Sequence, residues 1–164
     1  MAEQINITRT GDKKSMYEEL IPQVAALTSG ETDFIANLSN MASALKYGMN
    51  FFWVGFYFMK GRELVLGPFQ GPVTCTRINE GKGVCGMSVQ KKEIIIVSDV
   101  NQFPGHISCS PESRSEIVLP LLIDQDVKLV LDVDSEKTGN FDDTDRLYLQ
   151  KIIDMIKNFY PAGL

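Results

Sequence analysis

Residues 51–59 read FFWVGFYFM, and Gly61–Arg62 separates them from Glu63–Leu66. Upstream of this stretch the apolar residues recur every three or four positions. Within it they run without a break, rich in aromatic and β-branched types and closed by a turn, so the period changes from helix to strand. That change decides the fold class. Working backward, Tyr17, Leu20, Ile21, Val24 and Leu27 are spaced for one helix face stopped at Gly30, and Phe34, Leu38, Met41 and Leu45 for a second helix closed near Gly48. The two helices are expected to pack antiparallel on one side of a sheet. Working forward, residues 67–83, GPFQGPVTCTRINEGKG, are dense in Gly and Pro and are expected to be largely loop. A short helical turn at Val84–Gln90, a strand at Ile94–Val97 and a second long loop over 98–113 follow. Glu116–Ile123 and Leu129–Val133 read as strands joined at the acidic tip Asp124-Gln125-Asp126. The last helix starts near Asp142, Asp143 and Asp145, whose carboxylates suit a helix N-terminus, and stops before Pro161. Two helices, a run of hairpin-connected strands and a closing helix make an α+β fold with a mostly antiparallel sheet covered by helices.

The chain has 164 residues, 44% of them apolar, which suits one domain over 1–164, with residues 1–12 as a loose or lightly tied arm. Its net charge of −5 argues against nucleic acid or an anionic membrane as partner. No apolar run approaches the roughly 20 residues of a membrane span, and the polar start MAEQINITRTGDKKS lacks the apolar core of a secretory signal. Three cysteines without such a signal point to a reducing, cytoplasmic setting, where thiols are metal ligands, catalytic groups or core residues. The single His argues against His-based catalysis.

Several residues could carry chemistry. Along 51–59, Phe52, Val54, Phe56 and Phe58 share one strand face, and Trp53, Gly55 and Tyr57 the other. A Gly between two aromatics leaves a slot, which serves either sheet-to-helix packing or a pocket for a small cationic or thioether-like group. Glu116 opens an apolar strand, so its carboxyl is expected to be desolvated with a raised pKa. Asp132 and Asp134 share a face with about 6.6 Å between α-carbons at normal strand rise, close enough to raise each other's proton affinity. Cys75, Cys85, Cys109 and His106 count as a Cys₃His zinc set, but no C-x-x-C knuckle is present and the spacing disfavours it. Cys75 and Cys109 lie in the two long loops and suggest a pair cycling between dithiol and disulfide, while Cys85, beside a Gly-rich turn, reads as buried. The segment Gly81-Lys82-Gly83 lacks the rest of a phosphate-loop motif and is discounted.

Six segments occur in a characteristic order: Trp53-Val54-Gly55-Phe56-Tyr57, Gly67-Pro68-Phe69-Gln70-Gly71, Gly81-Lys82-Gly83-Val84-Cys85-Gly86, Phe103-Pro104-Gly105-His106-Ile107, Ser115-Glu116-Ile117-Val118 and Leu131-Asp132-Val133-Asp134-Ser135. Over roughly residues 45–155 the chain resembles the free methionine-(R)-sulfoxide reductases, which are stand-alone GAF domains. The resemblance implies a GAF-like fold and thiol-dependent reduction of free methionine sulfoxide, with a place in the response to oxidative stress. It implies Cys109 as the attacking sulfur, Cys75 as the thiol that resolves the sulfenic acid, and Cys85 as a third family cysteine of less settled role. It implies Trp53 and Tyr57 as walls around the substrate methyl group, and Glu116, Asp132 and Asp134 as substrate-binding carboxylates. Glu116, with Asp134 next, is the candidate to protonate the sulfoxide oxygen. No metal or organic cofactor is implied, only an external reductant, thioredoxin. Ser110 departs from the pattern, standing where an acidic residue often follows the catalytic Cys. His106 stays open between orienting the Cys109 loop, lowering that thiol's pKa and facing solvent. A homodimer through Phe34–Leu45 or Leu149–Ile156 is also open. The competing reading is a GAF-type ligand-binding or redox-sensing module without turnover.

Overall fold

The computed structural model describes residues 4–9, 11–107 and 109–161. Helix α1 (Lys13–Thr28) is capped by Asp12, whose side chain accepts from the Ser15 N–H, and α2 (Phe34–Met49) by Asp33, which accepts from the Ala36 N–H. The strands are β1 (Trp53–Lys60), β2 (Glu63–Gln70), β3 (Arg77–Asn79), β4 (Ile95–Val97), β5 (Ser115–Ile123) and β6 (Asp126–Ser135). Helix α3 (Gly83–Lys91) lies between β3 and β4, and α4 (Asp143–Phe159) closes the described fold. The strands form one sheet in the order β3-β2-β1-β6-β5-β4, with every neighbouring pair antiparallel. This is the expected α+β arrangement.

Alternation along β1 sorts the two cores. Val54, Phe56 and Phe58 pack with Leu20, Leu38, Met41, Leu149 and Ile152 from α1, α2 and α4, while Trp53 and Tyr57 pack with Val84, Cys85 and Val89 of α3 on the other face. Phe52 does not follow the alternation expected of it. It precedes β1 and packs against the α3 side. On α2 and α4, the helices offered for a homodimer, Leu38, Met41, Leu45, Leu149, Ile152 and Ile156 are fully buried within the chain, while Ile35, Tyr47 and Leu147 stay exposed.

Helix α2 closes near Gly48 as read: it runs to Met49 and ends on Asn50 in the left-handed conformation, φ 59°, while Gly48 lets α1 approach, a Cβ there falling 2.9 Å from Leu20 Cδ1. Other boundaries differ from the sequence reading, each for a physical reason. The stretch 67–83 is less loop-like than its composition suggests, because β2 continues to Gln70 and β3 follows. Pro68 is tolerated because β2 pairs with β3 only over Glu63–Val65, and the β1 ladder is irregular between Gly55 and Tyr57, which leaves Gly67 and Pro68 in a bulge. Asp124 and Gln125 both have positive φ, 49° and 68°, so the β5–β6 hairpin turns tightly and both strands are longer than their apolar runs. Of the two readings of residues 1–12, the described part is lightly tied rather than loose. Asn6 N–H donates to Gln23 Oε1 at 2.8 Å, Thr8 N–H to Glu19 Oε2 at 2.7 Å, and Ile5 and Ile7 pack on the core. Residues 1–3 and 10 lie outside the described residues.

The last helix starts as read. Asp142 and Asp145 form a capping box, and buried Asp145 also accepts from Tyr17 Oη at 2.9 Å and pairs with Lys13. No described helix is long and apolar enough to cross a membrane.

Candidate active site

Strand register gathers the three carboxylates. Glu116 of β5 stands opposite Asp134 of β6, and Val118 opposite Asp132, while β1 sets Trp53 opposite Asp134 and Gly55 opposite Asp132. Glu116, Asp132 and Asp134 therefore project from the α3 side of adjoining strands. Helix α3 brings Cys85 over them, with Sγ 3.8 Å from Glu116 Oε1. Burial is the main cause that pushes the Glu116 carboxyl well above its usual range, and Asp132 then Asp134 add to it. Asp132 is raised by burial and by Asp134 in the same way. Asp134 is pushed up to about 6 by burial, against a hydrogen bond from Ser113. Burial and the flanking carboxylates also raise the Cys85 thiol, which keeps its proton and is a poor nucleophile.

Cys75 and Cys109 are joined as a disulfide with α-carbons 5.2 Å apart, and Cys85 is the free thiol. The bond staples the two long loops across the carboxylates. Under it is a cavity of about 30 Å³ lined by Trp53, Cys109, His106, Glu116, Asp132 and Asp134, among others. The zinc set considered from sequence is not assembled, because two of its thiols are consumed in the disulfide. A different donor cluster exists among the described residues: Cys85, Glu116 and Asp132 each offer an atom within 4.8 Å of the others. Asp132 Oδ1 is buried without a hydrogen-bond partner among the described residues.

The aromatic slot is not open. A Cβ on Gly55 would fall 2.1 Å from Trp53 Cη2, so the indole itself lies over the glycine, stacked between Tyr57 and Phe69 at 6.1 and 5.5 Å between centroids. Trp53 lines the cavity and Tyr57 does not. Tyr57 is fully buried, and its Oη donates to the Cys75 carbonyl at 2.9 Å. It props the Cys75 loop, and Ile78, Val84 and Ile107 line the cavity with Trp53 instead. His106 also lines the cavity, and burial lowers its pKa, so it faces the site as a neutral imidazole.

Sequence reasoning missed Ser113, whose Oγ donates to Asp134 Oδ1, and Thr74, which lines the cavity. Ser113 carried a signal, being a small polar residue just ahead of the Glu116 strand. At Ser110, where an acidic residue was expected, the hydroxyl donates to Glu112 Oε2 at 2.7 Å, so a carboxylate reaches the Cys109 turn from two residues on. The first N–H groups of α3, at Gly83, Val84 and Cys85, have no acceptor inside the helix, and these three residues also line the cavity.

Comparison with known proteins agrees with this geometry. The GAF domain family profile matches residues 34–156. The chain is 52% identical over 159 residues to GAF domain-containing protein A of Dictyostelium discoideum, covering 96% of this chain and all of that one. It is 43% identical over 144 residues to the free methionine-R-sulfoxide reductase of Escherichia coli, covering 87% of each. The X-ray structure of the Neisseria meningitidis free methionine-R-sulfoxide reductase in complex with its substrate superposes with a TM-score of 0.94 at 44% identity, over 98% of this chain and 96% of that one. The chain therefore belongs to the GAF domain family and, within it, to the free methionine-R-sulfoxide reductases.

Proposed function

We propose that this protein reduces free methionine-(R)-sulfoxide to methionine, with Cys109 as nucleophile and Cys75 as resolving thiol. The observation that carries the reading is the Cys75–Cys109 disulfide over a cavity floored by buried Glu116 and Asp132 and half-buried Asp134, with Cys109 on the cavity side. In the dithiol form the Cys109 thiolate attacks the sulfoxide sulfur. The oxygen is a poor leaving group until protonated, and Glu116, kept neutral by burial, supplies the proton. The oxygen passes to Cys109, leaving methionine and a sulfenic acid. Cys75 condenses with that sulfenic acid, releasing water and forming the disulfide seen here. Thioredoxin then returns two electrons to the pair. Neutral Cys85 is a weaker candidate for the resolving step, and lies beside the proton donor instead.

Preference for the free amino acid has a physical basis. The unpartnered Asp132 Oδ1 accepts from the substrate ammonium, which a residue within a peptide lacks. The N–H groups opening α3 suit the α-carboxylate. Trp53 presents an indole to the methyl group on the sulfoxide sulfur.

The test is a stereo-resolved assay with dithiothreitol on free and peptide-bound sulfoxide. Turnover of the free R epimer alone is expected, and Cys109→Ser should abolish even the first turnover. Cys75→Ser should release one equivalent of methionine and then cycle slowly with thioredoxin. Absence of turnover above the reagent blank would leave a ligand-binding or redox-sensing module, and unimpaired cycling in Cys75→Ser would move the resolving role to Cys85.

A further inference from the structure

The two sulfurs of the disulfide are not equivalent in their surroundings. Cys109 lines the cavity with Ile107 and Ser110, whereas on the other side of the bond Thr74 lines it and Cys75 does not. Cys75 belongs to Gly71–Thr76, the connection from β2 to β3, and β3 is an edge of the sheet. The connection is held from beneath. Trp53 Nε1 donates to the Pro72 carbonyl at 3.1 Å, Tyr57 Oη to the Cys75 carbonyl at 2.9 Å, and the Leu66 N–H to the Thr76 carbonyl at 2.9 Å. Its outer side is bare: Gly71, Pro72, Val73 and Thr76 are exposed. Val73 is 88% exposed, more than any other large apolar side chain among the described residues. A fixed loop thus presents an exposed apolar side chain two residues before a half-buried cysteine of the disulfide.

We infer that Cys75 is the sulfur a protein dithiol attacks, and that the Gly71–Thr76 segment, with Val73 as its apolar contact, is what that reductant recognises. The inference rests on the reading that the disulfide is a turnover state of the reductase. One thiolate of the partner attacks Cys75 Sγ, the bond to Cys109 breaks, and its electron pair leaves on the Cys109 sulfur. The partner's second thiol then attacks the mixed disulfide, releasing Cys75 and leaving the partner oxidised. Two electrons enter, and Cys109 returns as a thiolate already facing the cavity. Attack on Cys109 would instead bring the partner to the cavity side and leave that sulfur blocked in the mixed disulfide.

Two measurements test this. First, oxidised protein is mixed with thioredoxin whose second active-site cysteine is serine, and the trapped mixed disulfide is mapped by peptide mass spectrometry. The adduct is expected on Cys75, and an adduct on Cys109 overturns the inference. Second, Val73→Asp and Val73→Leu are assayed with thioredoxin and with dithiothreitol. Val73→Asp should raise KM for thioredoxin about tenfold, the equivalent of roughly 1.4 kcal/mol lost with one apolar contact, with dithiothreitol turnover unchanged and Val73→Leu near wild type. An unchanged thioredoxin KM in Val73→Asp overturns the role of the segment. The trapping needs only the disulfide, so it decides the inference even where sulfoxide turnover fails. Failure with dithiothreitol overturns the reductase reading alone.

Discussion

Glu116 shows how far one residue's position reaches. Ionised and free, a carboxyl here would be held from water by β5, by α3 and by two further acids, so the folded protein binds its proton more tightly than the unfolded chain does. The same holds for Asp132 and Asp134. Each group whose folded pKa is raised contributes stability that is fully present below its unfolded value and is lost as pH rises from there through the folded value, which for Asp134 is about 6. Glu116→Gln removes one such group while keeping its shape. It should therefore raise the melting temperature by roughly 2–4 °C for each kcal/mol recovered, more at pH 8 than at pH 5. The same variant should lose about a hundredfold or more in kcat, the usual scale for a general acid. Thermal melts at the two pH values, beside steady-state rates, check both signs, and a melting temperature that does not rise would show the carboxyl to be ionised and well solvated. Stability is here set against function.

At the scale of elements, β1 is where the helical core and the site share a backbone. Val54 and Phe56 face the helices, Trp53 faces the cavity, and Gly55 between them is the floor on which the indole lies. The glycine is demanded by contact rather than by a special backbone angle, since a Cβ would fall 2.1 Å from the indole and 2.7 Å from Phe69 Cβ. Gly55→Val should displace the indole and cost about 1–3 kcal/mol. It should also red-shift the fluorescence of the single Trp and raise KM for the sulfoxide. An unchanged emission spectrum would mean that the ring keeps its place by some other route. The aromatic–Gly–aromatic alternation was legible as a feature of this strand. That the indole fills the space, and that Tyr57 turns to the Cys75 carbonyl, was not, because alternation gives the face of a side chain and not its rotamer.

Across the whole molecule the disulfide closes the site. With Cys75 and Cys109 joined, the cavity of about 30 Å³ has room for a water or two, far less than an amino acid. On the proposed mechanism, formation of the bond is expected to be coupled to product release, and the oxidised protein should not bind methionine measurably. The dithiol form should, and calorimetry on the protein before and after reduction reads the difference. Equal affinity in the two states would remove the coupling.

The helices, the β1 run and the β5–β6 hairpin were determined by the sequence alone, because periodicity and turn residues are local properties. The face shared by Asp132 and Asp134 was determined in the same way, since a strand's alternation places residues two apart together. The loop 98–113 was legible too, holding one 3-10 turn, Val100–Gln102, among its described residues, whereas the strands inside 67–83 were not, because Gly and Pro report backbone freedom and not whether a neighbouring strand takes up the hydrogen bonds. Only the tertiary structure set Glu116 opposite Asp134, brought Cys85 over Glu116 and joined two sulfurs 34 residues apart. Those are contacts between elements distant in the chain. Their distances depend on sheet register and on how α3 packs, and composition or spacing along one segment carries neither.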